Sequence, residues 1–580
     1  DFYTRNDPAR WAKGSQPVLV QTSGGGWKLT IAERKRILLD NIYGVDIDAQ
    51  AVETTKLSLL LKVLEGETSQ TIQPELLHER ALPDLGDNIK CGNSLIGPDF
   101  YQQQQMTLLT QDERDRVNTF DWHAEFPHIF RRKSSTGELR ETASPLDYTM
   151  PGVPLHGSYS YKKKKGEKIV PLPVPIESEW EGGFDAVIGN PPYRMLQPHN
   201  TDESVLAYLR KHYVAAEFKM ELFHMFLQRG VSLLRQGGYH GYIVPTTVLN
   251  NVYAETLRAW LMEQCCVESI SVARDQVFAN ADVHTSVIVL RREGDAKERA
   301  KHEILTTSDL SEGFVKSPTP LSRTQQRRFG KLPGRVWNIL VNERNAPLIT
   351  RLTEEFSRLK VVGIINRGLI TGARDKFFST QRKSKAYVPI IAGGDVRRYF
   401  TVPPSEYVLF ERPDTAGGCW DKEVHLAPHK IVVRQIGLKP TASILCEPIA
   451  VTGNIFTVRA ETVEQELYLL GLINSRLTDF FWRIMFADFK SSFPQVTIFS
   501  LDQVPVRVID FSNKSDKSRH DQMVKLVEQM LALHQSLAAA KTPPEKTSLE
   551  RQITATDTQI DALVYDLYGL TVEEIKLVES

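Results

Sequence analysis

Cysteine is scarce, with five in 580 residues, at positions 91, 265, 266, 419 and 446. None stands at metal-ligand spacing, and the adjacent Cys265 and Cys266 do not suit a disulfide framework, so the five read as reduced thiols of a cytoplasmic protein with no metal centre. Long apolar runs are also absent. Runs such as Leu57–Leu61 fall far short of the roughly 20 residues a membrane-spanning helix takes, and no secretory signal opens the chain. Net charge is missing too, because 71 Lys and Arg balance 71 Asp and Glu. A uniformly polyanion-binding surface is thereby excluded, and any nucleic-acid contact has to come from local basic patches. What is present is 41% hydrophobic content and length for two to four domains, the profile of a large intracellular enzyme.

The most informative segment is Asn190-Pro191-Pro192-Tyr193, which ends the apolar run Phe184–Gly189. Such a run reads as a buried strand. The two prolines fix φ and remove backbone donors, so the turn is stiff and offers carbonyls rather than N–H groups. An exocyclic amine such as N6 of adenine is a poor nucleophile because its lone pair is delocalised into the ring. Two acceptors, the Asn190 side-chain oxygen and the Pro191 carbonyl, can take the two amine hydrogens and draw the nitrogen toward a tetrahedral geometry. Its lone pair can then attack a methyl group without a formal base. Tyr193 supplies a ring on which a base that has left the duplex can stack. The plainer alternative is a structural exit from a strand, since Asn-Pro and Pro-Pro mark turns.

This segment closely resembles the catalytic motif of N6-adenine DNA methyltransferases that use S-adenosylmethionine, and residues 30–292 follow that family's order. Asn41–Asp48 reads as a parallel strand ending in an acidic residue. The resemblance assigns Asp46 to the ribose hydroxyls of S-adenosylmethionine, as two carboxylate oxygens suit a vicinal diol, and Ile47 to packing on its adenine. Ile89–Ile96 resembles the next strand and its loop, with Gly92-Asn93 where the family commonly has Gly-Asp, so that Asn93 would meet the adenine amine through its amide oxygen. Glu221–Leu234 has helical spacing that Gly237-Gly238 stops before a strand resumes at Tyr239; His224 on that helix reads as a packed histidine. Val277–Asn280 followed by Thr285–Leu290 resembles a late motif in which Phe278 would sandwich the flipped adenine against Tyr193, the alternative being a core Phe.

The family's Gly-rich cofactor loop, expected before the acidic strand, is missing. Ser23-Gly24-Gly25-Gly26 is superficially like it. It lacks the acidic-Pro strand end before the glycines and the Phe after them, and Thr30-Ile31-Ala32-Glu33 follows closely as a capping-box helix start, so it reads as a turn. With Asp1 in place of Met, the expectation is an N-terminally truncated chain. The first strand, its loop and a further segment of the same polypeptide, with or without a nuclease, would lie upstream, leaving an open groove beside Ile42–Asp46. Pro83-Asp84 with Asp87 and Lys90 mimics a nuclease pattern but sits on the approach to a sheet strand and is rejected as a cleavage site.

Residues 99–183, holding Gln102–Gln105, Lys162–Lys165 and a Pro-rich stretch near Pro171–Pro175, read as an insertion, with the lysine run a solvated loop rather than a phosphate contact. Residues 299–334 read as a charged, irregular linker. Gly363–Gly372, Pro389–Tyr399, Lys430–Gln435 and Ser491–Pro494 resemble the C-terminal specificity domain of Taq-type adenine methyltransferases and type IIG restriction–modification enzymes. The resemblance makes residues 335–510 a target-recognition domain of short strands with little helix until Glu466. Arg374, Lys376, Arg434, Gln435, Lys439 and Lys490 are its DNA candidates, Arg and Gln because they pair with guanine and adenine edges, with phosphate anchoring as the plainer role for any one Arg. Residues 511–580 read as a helical hairpin, Pro543-Pro544 separating two runs at helical spacing, with DNA clamping, self-association and packing all open to it.

The resulting expectation is an α/β, Rossmann-like S-adenosylmethionine-dependent methyltransferase sheet over residues 1–298, an α+β recognition domain and a helical arm. The chain is expected to act as a site-specific adenine-N6 methyltransferase on double-stranded DNA, in a fused type IIG restriction–modification enzyme. A methyltransferase of a phage-exclusion system without nuclease, and an inactive DNA-binding remnant, are the alternatives.

Overall fold

The computed structural model describes residues 2–22, 24–67, 83–103, 116–132, 180–216, 220–273, 283–307, 322–414, 416–486 and 495–580. Phe278, Lys490, Ser491–Pro494, Lys162–Lys165 and most of the insertion at 99–183 lie outside these residues. The chain forms two compact units: 1–242 with 263–265 and 290–294, and 243–262 with 266–289 and 295–580.

In the first unit, β1 (Leu19–Gln21) and β2 (Trp27–Leu29) pair antiparallel, and the Thr22 N–H donates to the Gly26 carbonyl across the turn at 2.8 Å. The glycines are therefore a hairpin tip and not a strand-to-helix loop. Helix α1 (Ile31–Asn41) is capped where its sequence indicated, the Thr30 hydroxyl accepting from the Glu33 N–H. Strand β3 (Gly44–Asp46) leads into α2 (Ala49–Leu64), whose first turn is capped by the Asp48 carboxylate. Strand β4 (Ile89–Cys91) lies parallel to β3 with Asp46 opposite Cys91. Ile31, Leu38, Val52, Val63, Leu85 and Ile89 form the core beneath the two helices.

Strands β5 (Phe130–Arg132) and β6 (Trp180–Gly182) pair antiparallel and lead to β7 (Phe184–Gly189). After β7 come β8 (Met195–Leu196), α3 (Glu203–His212), β9 (Met220–Glu221), α4 (Leu222–Ser232) and β10 (Leu234–Pro245). β10 runs parallel to β7 with Tyr242 opposite Gly189. The expectation that Gly237-Gly238 separate helix from strand is corrected. The helix ends at Ser232, and both glycines sit inside β10 at a register shift between Leu234 and Tyr239, Gly237 with a left-handed φ of 77°. Gly183 (φ 120°) starts β7 where a Cβ would lie 2.6 Å from the Leu234 carbonyl carbon, an approach only glycine permits.

Phe120, Phe126, Phe130 and Leu233 form an aromatic core that also carries Tyr43 and Val45 of the β3 segment and Phe184 and Val187 of β7. Each such buried Phe contributes roughly 1.5–3 kcal/mol. Among the described residues β3 has β4 as its strand neighbour and β7 has β10. β7 is a strand where its sequence placed one, but the expectation that it is buried is corrected, because none of its six residues is fully buried and Ile188 is 84% exposed, β10 being its one strand neighbour among the described residues.

In the second unit the end of β10 joins β11 (Cys265–Val272), β12 (Thr285–Arg292), β13 (Glu303–Thr307) and β14 (Ser322–Gln325) in the order β14, β13, β11, β12, β10. Residues 299–334 are thus more than a linker. β13 adds in parallel to β11 and β14 adds antiparallel to β13, with Ile304 and Thr306 buried and Leu305 turned outward. The period-two pattern is real but is diluted by the charged residues around it.

Further on, Ile364–Arg367, Ile455–Arg459, Lys430–Arg434 and Ala442–Leu445 build an antiparallel sheet in that order. A second sheet holds Phe378–Ser379, Glu406–Leu409, Tyr387–Ile391 and Ala450–Val451. The expectation of little helix before Glu466 fails at Ala346–Glu354, where Pro347 occupies the first turn, the position in a helix that tolerates proline. At the C-terminus Lys514–Ala539 and Pro543–Leu567 are consecutive helices, Pro543 again in a first turn, followed by Val572–Glu579. Arg398 ties the pair to the sheets through a two-pronged contact with Asp557 at 2.7 and 2.5 Å. No described helix is long and apolar enough to cross a membrane.

Candidate active site and recognition surface

Strand β7 delivers Asn190-Pro191-Pro192-Tyr193 at its C-terminal end. Asn190 and Pro192 are exposed, Pro191 is buried and Tyr193 is half-buried. The Tyr193 ring meets Phe223, the second residue of α4, edge-on with centroids 6.0 Å apart and planes at 76°. Phe223 is fully buried, so it braces Tyr193 from beneath. Burial pushes the Tyr193 hydroxyl up to about 12, which keeps the phenol neutral. Behind the turn, Tyr242 on β10 packs against Gly189, where a Cβ would meet its ring at 3.1 Å. The buried His240 beside it is held neutral by desolvation, its pKa pushed down to about 3. His224 is buried, as its reading as a packed histidine expects.

Asp46 stands exposed at the end of β3. Its Oδ1 accepts from the Asp48 N–H at 2.8 Å and its main-chain carbonyl accepts from the Gly92 N–H at 2.8 Å. Its Oδ2 has no hydrogen-bond partner among the described residues. Ile47 next to it is 54% exposed, a large apolar side chain left facing outward at a strand end. Asn93 is more occupied than its sequence suggests. Its Oδ1 accepts from the Leu95 N–H at 3.1 Å and its Nδ2 donates to the Val117 carbonyl at 3.2 Å, so its first role is to fasten its own loop. Gly92 is required there, because a Cβ would fall 2.5 Å from the Phe120 ring.

The structure also places five of the six DNA candidates. Arg434 ends the strand Lys430–Arg434, and Gln435 and Lys439 follow it in the connection to Ala442–Leu445. Gln435 is pinned at both ends of its peptide, donating to the Asn454 carbonyl and accepting from the Val496 N–H. Lys439 pairs with Asp479 at 2.7 Å. Arg374 and Lys376 lie on the short helix Arg374–Phe377; Arg374 pairs with Glu406 and stacks over the Phe378 ring at 4.2 Å. Sequence reasoning missed Arg367, which donates to the Gly453 carbonyl at 2.7 Å and reaches the Gln435 side chain at 3.5 Å. Its place before Gly368 at a strand end was the available signal. Phe223 was missed as well, because its helix reads as scaffold.

Residues 40–278 match the family described as Eco57I restriction-modification methylase, and residues 388–506 match the TaqI-like C-terminal specificity domain. A Methanocaldococcus jannaschii protein named as a type II restriction enzyme and methyltransferase is 23% identical, the match covering 92% of this chain and 49% of that protein. The Escherichia coli type II restriction enzyme and methyltransferase RM.Eco57I is 28% identical over 50% of this chain and 22% of its own length. The adenine-specific methyltransferase BrxX of Escherichia coli is 22% identical over 41% of this chain and 20% of its own. The chain thus spans about half the first relative and under a quarter of the other two. It holds an Eco57I restriction-modification methylase domain followed by a TaqI-like C-terminal specificity domain.

Proposed function

We propose that this chain is the methyltransferase and target-recognition portion of a fused restriction–modification enzyme of the type IIG kind, transferring a methyl group from S-adenosylmethionine to N6 of adenine in double-stranded DNA. The observation that carries the reading is the exposed Asn190 beside the buried Pro191 and the braced Tyr193 at the mouth of β7. The residues at the end of β3 fit the cofactor, Asp46 with an uncommitted carboxylate oxygen for the ribose diol and Ile47 with an outward apolar face for the adenine. When bound, S-adenosylmethionine supplies the electrophilic methyl group. Asn190 Oδ1 and the Pro191 carbonyl accept the two N6 hydrogens and localise the nitrogen lone pair. Tyr193 stacks on the extruded base, and Phe278 takes its other face. The cofactor's methionine end needs main-chain donors of the kind a glycine-rich loop gives, and we assign these to a strand other than β1 and β2.

Residues 335–510 would supply site recognition through Arg434, Gln435 and Arg367, with Arg374, Lys376, Lys439 and Lys490 around them. Adenine rather than cytosine as target rests on the Asn-Pro-Pro-Tyr chemistry, and the name of the BrxX relative agrees with it. Mapping modified bases in DNA from cells that express the full-length protein tests the reading. N6-methyladenine at one sequence context is the expected result, and methylated cytosine or unmodified DNA would refute it.

A further inference from the structure

The loop after β4, Asn93–Gly97, is hydrogen-bonded at every residue, and the partners come in part from the elements that hold Tyr193. The Asn93 N–H donates to the Asn118 carbonyl at 2.6 Å, the Ser94 carbonyl accepts from Trp122 Nε1 at 3.1 Å, and the Ile96 carbonyl accepts from the Phe120 N–H at 2.8 Å. The remaining contacts come from α3, from Tyr213 just after it and from α4. Tyr208 accepts from the Gly97 N–H at 3.1 Å and donates to Asp99 Oδ1 at 2.8 Å. The other oxygen of Asp99 meets His212 Nε2 at 3.0 Å, and His212 Nδ1 lies 2.8 Å from the Tyr208 carbonyl. The Tyr208 and His212 rings stack at 3.9 Å with planes 21° apart. Tyr213 donates to the Leu95 carbonyl at 2.6 Å, and Arg229 on α4 reaches both the Tyr213 hydroxyl at 3.1 Å and that carbonyl at 3.4 Å.

Of these elements, α4 begins at the catalytic turn. The β8 residue Leu196 is paired with Met220 of β9, the Leu222 N–H donates to the Arg194 carbonyl at 2.8 Å, and Phe223 braces Tyr193. Phe223 and Arg229 lie six residues apart on α4, about 9 Å along one rigid helix. One helix therefore touches the base-stacking tyrosine at its start and the loop of Asn93 two turns later. Tyr208, Asp99, His212, Tyr213 and Arg229 are each buried or half-buried and engaged, so displacing one end strains the other.

We propose that α3, Tyr213 and α4 form a strap that couples the Asn93–Gly97 loop to Tyr193, so that filling the cofactor site and capturing the target base strengthen one another. Tyr208 and Arg229 are its positioning residues. The inference rests on the function proposed above. Linkage requires the effect to be reciprocal: DNA tightens cofactor binding by the factor by which cofactor tightens DNA binding.

The test is calorimetric titration of the full-length protein with S-adenosylmethionine, with and without a duplex carrying its mapped site, alongside amide hydrogen exchange at Gly97. Wild type should show coupling of about fivefold or more. Tyr208→Phe keeps the ring stack and removes the hydroxyl that bridges Gly97 and Asp99. It should bring the coupling to within about twofold of none and speed exchange at Gly97. Asp99→Asn, which keeps an acceptor for Tyr208 but removes the charge facing His212, should give an intermediate loss and serves if Tyr208→Phe does not fold. Wild-type coupling near unity, or unchanged coupling and Gly97 exchange in both variants, overturns the strap while leaving the methyltransferase reading intact. Failure of wild type to bind S-adenosylmethionine at all would overturn that reading and the strap with it.

Discussion

Removing the ring of Tyr193 and removing only its hydroxyl should have different consequences, because the structure gives the two parts different surroundings. The ring is braced edge-on by the buried Phe223, whereas the hydroxyl is kept protonated by burial, with its pKa near 12. Burial thus favours the neutral phenol at pH 8, and the ring rather than a phenolate is what the turn presents. Tyr193→Ala forfeits base stacking worth roughly 1–3 kcal/mol, or about 5- to 150-fold in capture of the extruded base. Tyr193→Phe keeps the stack and loses at most one neutral hydrogen bond, about 0.5–1.5 kcal/mol, so its cost should stay within about tenfold. Fluorescence of 2-aminopurine at the target position measures capture directly: wild type and Tyr193→Phe should brighten on binding, and Tyr193→Ala much less. If Tyr193→Phe is as damaged as Tyr193→Ala, the hydroxyl is the working group and the stacking argument is wrong. If neither variant is damaged, Tyr193 is a structural exit from β7.

Asn190→Ala should lower methyl transfer by about two to three orders of magnitude, as loss of a contact made mainly in the transition state does, while binding of cofactor and DNA survives; near-normal turnover would remove Asn190 from the site. Exchanging residues 335–510 for the matching block of a relative should move methylation to that relative's sequence with the N6 chemistry unchanged, since the function proposed above assigns base readout and methyl transfer to different residues; unchanged specificity would send recognition elsewhere, with the 99–183 insertion first in line. Asp561, buried and with its carboxyl raised from 3.8 to about 6 chiefly by desolvation, holds a proton in the folded state that the unfolded chain loses between about pH 4 and pH 6. Its contribution to stability is therefore present below about pH 4 and lost as pH rises through about 6, a fall on the order of 3 kcal/mol. The melting temperature of Asp561→Asn relative to wild type should accordingly climb across that window, and a constant difference would reject the assignment.

What the sequence disclosed about the fold was whatever is encoded locally. The strand Phe184–Gly189, the stiff turn after it, the Thr30 cap and the C-terminal helix pair each depend on residues within a few positions of one another, and each stands where the pattern placed it. The losses were of two kinds. Strand β13 and helix Ala346–Glu354 have regular patterns too short or too charged to stand out until the neighbouring elements bury them. The bracing of Tyr193 by Phe223, the capture of Asn93 by its own loop and the pairing of Arg374 with Glu406 join residues that nothing in a linear pattern links. Residue types suited to the chemistry were therefore legible, and their present commitments were not.

Those commitments bear on how the proposed recognition surface would meet DNA. Arg374 is paired with Glu406, Lys439 with Asp479, and Arg367 with the Gly453 carbonyl and Gln435. Among the described side chains of this group, Lys376 and Arg434 have no such partner. Exposed ion pairs of this type are worth about 0–1 kcal/mol, so a phosphate or base edge displaces the carboxylate at little cost. A cation already paired with a neighbouring carboxylate neutralises less phosphate charge, however, so fewer of the counterions condensed on DNA are released, and that release supplies most of non-specific affinity. Glu406 and Asp479 also repel any phosphate that arrives without offering their partners a better contact. On the function proposed above, this pairing and the zero net charge of the chain should weaken binding to arbitrary DNA and give a shallow salt dependence, which a salt titration of non-specific duplex binding checks. On that reading, affinity would come from sites where base edges engage Arg434, Gln435 and Arg367 together, as the proposed recognition role requires.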